Sequence, residues 1–126
     1  MNLTCYCDGG YSNLTKSNGY GSFRVYEEGV DFYLARMKFE SISSSNESEY
    51  QTLISLLEWV VDNYDEVNLT IYSDSKLMCN QLNGLWEVRS KSLTPFYQTA
   101  VVLLNEIQEW KLEWQPRSVL VKQLGH

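Results

Sequence analysis

The apolar residues of this chain change their spacing after the first forty residues, and this change limits the fold more than any other sequence feature. Residues 3–7, 21–26 and 32–39 alternate between two sets of side chains, which predicts three strands. A Glu-Glu-Gly sequence at 27–29 predicts a hairpin between the second and third strands. Residues 46–64 then space their apolar side chains three or four positions apart, which predicts a long helix. A fold containing both strands and helices is therefore expected.

The remaining chain continues this mixed pattern, with Gly9-Gly10 opening a predicted polar loop at 11–18. Thr94 as N-cap and Pro95 as first helical residue predict the start of a third helix. The further predicted elements are a strand at 67–72, a short helix at 75–82, a helix at 94–107, a strand at 110–114 and a short helix from 118 to the end. The order βββαβααβα predicts an α/β fold, in which helices cover a mixed sheet of five strands.

Size and composition place the chain among ordinary globular domains. It has 126 residues, 44% of them hydrophobic, so one domain over 1–126 with its own core is expected. No apolar run approaches the roughly 18–20 residues of a membrane span, and no signal peptide is recognisable. We therefore expect a soluble, cytoplasmic protein without a membrane partner. Met1 and the complete set of predicted elements favour a free-standing protein. The three cysteines lack zinc-site spacing, and Cys5 and Cys7 on one strand lie roughly 6.6–7 Å apart, so we expect buried free thiols.

The charge balance restricts the mode of any nucleic-acid binding. Ten basic residues against sixteen acidic ones give a net charge of −6. Proteins that bind polyanions by general electrostatic attraction are usually basic, so this mode is disfavoured. A local site neutralised by metal ions remains possible.

Three acids occupy informative positions. Asp8 and Asp74 follow predicted strands, where ligands of open α/β sheets gather, and Glu49 lies in the first turn of the long helix. Each also has an ordinary structural explanation. Asp8 suits a turn before Gly9-Gly10, Asp74 could cap the short helix, and Asn46 with Glu49 fits a capping box.

The surroundings of these acids form longer motifs. The sequence YCDGG at 6–10, with NGYG at 18–21, resembles the first strand of the ribonuclease H family and the glycine-marked entry to its second strand. SNESEYQTLI at 45–54 resembles the family's N-N-x-A-E-Y-x-A-L-I helix start. YSDSKLMCNQLNGLW at 72–86 is similar to Y-S-D-S-x-L-V-x-x-Q-L-N-G-x-W, and the likeness continues through LTPFY at 93–97. The resemblance implies a ribonuclease H-like fold, with helices on both faces of the sheet.

The resemblance also implies a chemistry. Asp8, Glu49 and Asp74 would form a catalytic pocket of oxygen ligands suited to Mg²⁺ or Mn²⁺. In the family, two such ions about 3.5–4 Å apart activate water and stabilise the leaving oxygen. The implied activity is that of an endoribonuclease that hydrolyses the RNA strand of RNA–DNA hybrids.

Further residues match family positions that contact the hybrid. Asn46 and Gln81 would hydrogen-bond the strands near the cut, Asn18 is a weaker candidate, and Trp86 would pack on the DNA strand. The alternative for Trp86 is a core tryptophan that closes the short helix. Many relatives insert a basic protrusion after this tryptophan, and the short segment at 86–95 lacks it. We therefore expect weak, metal-dependent binding of the hybrid unless a further nucleic-acid-binding partner assists.

The final helix departs from the family pattern. Relatives carry a fourth acid there, in R-E-x-N-x-x-A-D-x-L-G, and an alignment shortened by about two residues places Lys122 at that acid. An ammonium near a divalent ion is repelled, so Lys122 is expected to turn to solvent, although it could point inward and replace the second cation. The hypothesis is a weak second metal site, a preference for Mn²⁺, and higher activity in Lys122→Asp. His126 could assist, but a frayed terminus is the simpler interpretation.

Two functions remain open from the sequence. One is the active hybrid endoribonuclease, and the other is a catalytically degenerate ribonuclease H-like module that binds nucleic acid or a protein partner. A monomer is the default expectation. Neither the biological role nor the source follows from the sequence.

Overall fold

The computed structural model describes residues 1–14 and 18–125, and their strands form one five-stranded sheet. Its strand order is β3-β2-β1-β4-β5, with β1, β2 and β3 antiparallel and β4 and β5 parallel to β1. The elements are β1 (Asn2–Tyr11), β2 (Gly19–Glu27), β3 (Val30–Phe39), α1 (Ser45–Asn63), β4 (Asn68–Ser73), α2 (Lys76–Leu82), α3 (Thr94–Asn105), β5 (Glu109–Trp114) and α4 (Arg117–Leu124). The predicted order βββαβααβα and the mixed sheet are confirmed.

The first strand is longer than its sequence predicts. Gly9 and Gly10 were expected to open a loop, but they continue β1 and pair with Gly21 and Tyr20 of β2. The reason lies in packing, because a Cβ atom on Gly9 would lie 2.6 Å from the carbonyl carbon of Ser48. Gly9 therefore allows the start of α1 to cross close to the strand, and it does not mark a turn. Residues 15–17 of the predicted loop lie outside the described residues.

The start of α3 also differs from its prediction. Leu93 occupies the N-cap position and gives no side-chain cap, while Pro95 lies in the first turn. Thr94 was predicted to be the cap, but it is already helical, and its hydroxyl donates to the Ser90 carbonyl instead. Between α2 and α3 the described chain forms no further helix or strand, in agreement with the missing protrusion.

Helices cover both faces of the sheet. On one face, α1 buries its apolar stripe against the inward residues of β1, where Cys5 and Cys7 are fully buried free thiols. On the opposite face, α4 is tied to the sheet by two hydrogen bonds. Tyr26 donates to Gln123 at 2.7 Å, and Arg36 donates to the Leu124 carbonyl at 2.9 Å. The core therefore lies between α1 and the sheet, and α4 closes part of the other face.

Candidate active site

Three carboxylates converge where the parallel strands end. Asp74 directly follows β4, and Asp8 lies two residues beyond the last β1–β4 pair, Tyr6 with Tyr72. Glu49 reaches the same place from the first turns of α1. One oxygen from each carboxylate lies within 4.8 Å of the other two. Asp8 and Glu49 are buried and Asp74 is partly exposed, so the cluster opens to solvent on the Asp74 side.

None of the three acids fills the ordinary structural role that the sequence allowed. The capping box of α1 uses Ser44 and Glu47, because the Ser44 hydroxyl accepts from the Glu47 N–H and the Ser43 N–H donates to the Glu47 carboxylate. Helix α2 is capped by the Ser75 hydroxyl, which accepts from the Met78 N–H. Asp8 lies in a paired strand and not in a turn. The capping and turn explanations are therefore wrong.

The electrostatics of the cluster are unfavourable for three ionised groups. Burial, together with the negative charges of Asp8 and Asp74, raises the pKa of Glu49 to about 10. A hydrogen bond of 3.1 Å from the Gly9 N–H opposes that rise. Burial and Asp8 likewise raise the pKa of Asp74, while the positive charge of Arg117 lowers it. The cluster thus carries more negative charge than its surroundings stabilise.

This donor set fits a divalent cation. Carboxylate oxygens are the ligands that Mg²⁺ and Mn²⁺ prefer, and the three acids supply them at close range. A cation among them would remove the repulsion that raises the pKa of Glu49. The described residues place no fourth carboxylate, cysteine or histidine in this group.

Two residues that the sequence interpretation missed support Asp74. The Trp114 indole N–H donates to the Asp74 carbonyl oxygen at 3.1 Å, and the Lys76 ammonium lies 4.6 Å from the centroid of the Trp114 ring. Trp114 ends β5 and pairs with Ser73, the last residue of β4. A signal for this contact was present, because the predicted final strand ends at a tryptophan before Pro116. The contact fixes the backbone on which the Asp74 carboxylate stands.

The four predicted substrate residues lie in different environments. Asn46 is exposed in the first turn of α1, and Trp86 is 50% exposed, so the core interpretation of Trp86 is wrong. Asn18 is partly buried, and its side-chain oxygen accepts from the Ile42 N–H. Gln81 is buried; its amide accepts from the Tyr50 hydroxyl at 2.6 Å and donates to the Glu87 carbonyl. Asn46 and Trp86 are therefore open to solvent, whereas the Gln81 amide forms its hydrogen bonds within the protein, and the substrate role of each residue stays a prediction.

Lys122 is exposed on the last turn of α4. It lies two residues from Leu120 and from Leu124, both buried against the sheet, so it projects from the opposite side of the helix. A carboxylate at this position would also lie in solvent. This exposure agrees with the expectation that the Lys122 ammonium turns to solvent, and the alignment that assigned Lys122 to the fourth acid stays a prediction. His126 lies outside the described residues.

Comparison with known proteins identifies the family. A family model described as reverse transcriptase-like matches residues 6–121. The chain belongs to this family, and the resemblance to ribonuclease H found in the sequence is confirmed.

Individual relatives and solved structures are similar to this chain over most of its length. The bifunctional protein Rv2228c of Mycobacterium tuberculosis is 29% identical over 120 residues, which are 94% of this chain and 32% of that protein. The chain thus spans about a third of the length of the first curated relatives it matches. RNase H1 of Halobacterium salinarum superposes with a TM-score of 0.83 at 22% identity, covering 98% of this chain and 94% of that one. LC11-RNase H1, solved with an RNA/DNA hybrid, gives 0.84 at 17% identity, covering 97% and 92%. The two superpositions establish a common fold.

No described helix combines the length and the apolar character needed to cross a membrane.

Proposed function

We propose that this protein is a metal-dependent endoribonuclease that hydrolyses the RNA strand of RNA–DNA hybrids. The observation that carries the proposal is the convergence of Asp8, Glu49 and Asp74, whose oxygens lie within 4.8 Å of one another. Burial and mutual repulsion raise the pKa of Glu49 and of Asp74, which costs stability unless a cation binds there. Perturbed carboxyls that cap no helix and form no turn are a mark of a functional site.

The three carboxylates would hold Mg²⁺ or Mn²⁺, which supply a polarised water and neutralise charge on the reacting phosphate. The chain's own groups fix the geometry. The Gly9 N–H holds the Glu49 carboxylate against β1, and the Trp114 indole holds the backbone of Asp74. Asn46, exposed at the start of α1, would contact the hybrid near Glu49. The exposed Trp86 ring offers an apolar surface to a sugar of the second strand.

The relatives support the same substrate class. LC11-RNase H1, which shares the fold, was solved in complex with an RNA/DNA hybrid. A second candidate function is a hybrid-binding module that does not cut. It is favoured by one observation, namely that the group of clustered acids among the described residues numbers three and includes none from α4.

The deciding experiment is cleavage of a labelled RNA–DNA hybrid in Mg²⁺ and, separately, in Mn²⁺. We expect cuts in the RNA strand of the hybrid and none in matched duplex DNA or duplex RNA. Asp8→Asn is expected to lower the rate by at least about 10³-fold, since it removes one of three charges from the cation site. Cleavage that survives this substitution indicates a contaminant. A folded protein that cuts in neither ion excludes the nuclease and leaves the binding module.

A further inference from the structure

A cationic pocket lies beside the carboxylate cluster, on the face of the sheet that α4 covers. The cavity has a volume of about 460 Å³ and opens between β2, β3 and the start of α4. Three of the ten basic residues of the chain line it, namely Arg36, Lys38 and Arg117. Tyr20, Ser22 and Met37 complete most of its wall, and no acidic residue lines it. In a chain with a net charge of −6, these three residues form a local group of positive charge.

The register of the strands places this pocket next to the acids. Ser22 of the pocket is the direct partner of Asp8 in the β1–β2 pair, so their Cα atoms lie about 5 Å apart. Arg117 connects the two regions, since it lines the pocket and its charge lowers the pKa of Asp74. A polymer bound at the carboxylates would therefore extend past these cations.

The cations of the pocket are available for an anion. The described residues form two ion pairs, Arg24 with Asp31 and Arg89 with Glu87, and neither involves the pocket. Arg36 is oriented by its hydrogen bond to the Leu124 carbonyl, which fixes the guanidinium at the pocket wall. Lys38 and Arg117 are exposed. Tyr20 is 46% exposed and offers an aromatic face to a sugar or base.

We propose that Arg36, Lys38 and Arg117 form a binding subsite for a backbone phosphate of the nucleic-acid strand held at the carboxylates, next to the bond that is cut. This subsite rests on the proposed function, and it is the part of the protein that would bind the hybrid beside the cut. The subsite accounts for how a protein of net negative charge, without a basic protrusion, binds a polyanion. Its cations act locally, so the acidic remainder of the surface opposes binding elsewhere.

Binding without cleavage isolates this subsite. Fluorescence anisotropy with a labelled RNA–DNA hybrid in EDTA measures Kd for the full chain and its variants. The series of NaCl concentrations starts low enough for the weak metal-free binding to be measured. Lys38→Ala with Arg117→Ala is expected to weaken binding about tenfold or more and to lower the slope of log Kd against log[NaCl] by about 1–2. Lys38→Arg alone keeps both charges of the pocket and is expected to leave Kd unchanged. Lys38→Ala alone is compared with Lys111→Ala, which removes one positive charge from the opposite edge strand and is expected to change Kd less than about twofold.

A substrate with one neutral methylphosphonate locates the contact. The methylphosphonate is placed at successive positions of the cut strand. At one position next to the cleavage site it is expected to weaken binding to the unaltered protein, but not to the protein that carries both Lys38→Ala and Arg117→Ala. If Lys111→Ala weakens binding as much as the pocket variants, or if no position depends on the pocket, the subsite is wrong even when cleavage is normal. Failure of the proposed function looks different, because the unaltered protein then binds the hybrid with the expected salt dependence and does not cut it in either metal.

Discussion

Helix α1 joins two regions in which burial has opposite effects on the stability of the fold. Its first turns bring Glu49 to Asp8 and Asp74, where like charges meet with little solvent to screen them. About 15 Å further along the same helix, Trp59 stacks on Tyr33 with ring centroids 4.8 Å apart and planes 3° from parallel. The first region costs stability in the absence of a cation, and the second provides it.

The aromatic region depends on an irregularity in the sheet. The β2–β3 register shifts beside Val25, so that Phe32 has no direct partner on β2. In a regular strand Phe32 and Tyr33 would point to opposite faces, but the bulge brings both rings within 6.3 Å of Trp59. The aromatic region thus consists of packed rings, whereas the acid region brings three carboxylates together. The comparison shows that the candidate active site, unlike the aromatic cluster, is not optimised for stability.

The largest effect is expected from removing the centre of the aromatic region. Trp59→Ala is expected to lower the free energy of unfolding by about 3 kcal/mol, because the ring is partly buried and contacts four other aromatic rings. Urea unfolding measures the change, and Glu58→Ala, exposed on the same helix, serves as the control. Hybrid cleavage per folded molecule should stay unchanged. A fall in that rate without unfolding would show that the two regions are coupled.

A substitution in the acid region is expected to act in the opposite direction. The pKa of Glu49 is raised by burial to about 10 from an ordinary value of 4.5, so the unfolded chain releases its proton at lower pH than the folded one. Stability of the metal-free protein should therefore be full below pH 4.5 and fall as pH rises toward 10. Glu49→Gln should remove this fall and raise the free energy of unfolding by about 2 kcal/mol at pH 7.

Glu47→Gln is the matched control for that variant. Glu47 lies two residues earlier in the same turn, but its carboxylate accepts hydrogen bonds from the Ser43 side chain and the Ser43 N–H. Its substitution should lower stability by about 0.5–1 kcal/mol. Equal effects of the two substitutions on the pH–stability curve would show that the fall in stability with pH does not come from the burial of Glu49 in the carboxylate cluster.

Adding the cation should reduce the difference between the regions. Mg²⁺ or Mn²⁺ at about ten times its dissociation constant is expected to raise the free energy of unfolding by about 1.4 kcal/mol, and EDTA should reverse the gain. Because binding must displace the proton of Glu49, the gain should increase between pH 6 and pH 8. Thermal unfolding with and without metal at both pH values measures it. Asp8→Asn should show no gain, and a gain of equal size in that variant would place the cation elsewhere.

The sequence predicted the fold and the acids better than it predicted their surroundings. Periodicity and family motifs located Asp8, Glu49 and Asp74, since these depend on strand ends and on one helix turn. The burial of Gln81 could not be predicted, because it depends on the Tyr50 hydroxyl, 31 residues away. The pocket of Arg36, Lys38 and Arg117 was missed for the same reason, since a strand and a helix at opposite ends of the chain assemble it.

The smallest effect is expected at Lys122, where sequence and structure lead to different predictions. The family alignment predicted higher activity for Lys122→Asp, but Leu120 and Leu124 face the sheet and turn residue 122 toward solvent. We therefore expect the cleavage rate and the metal concentration for half-maximal rate to change by less than about twofold, which is about 0.4 kcal/mol. Lys111→Asp, also exposed, controls for the change in net charge. If only Lys122→Asp lowers the metal requirement, a carboxylate at 122 reaches the acids, and α4 must lie differently on the sheet when metal is bound.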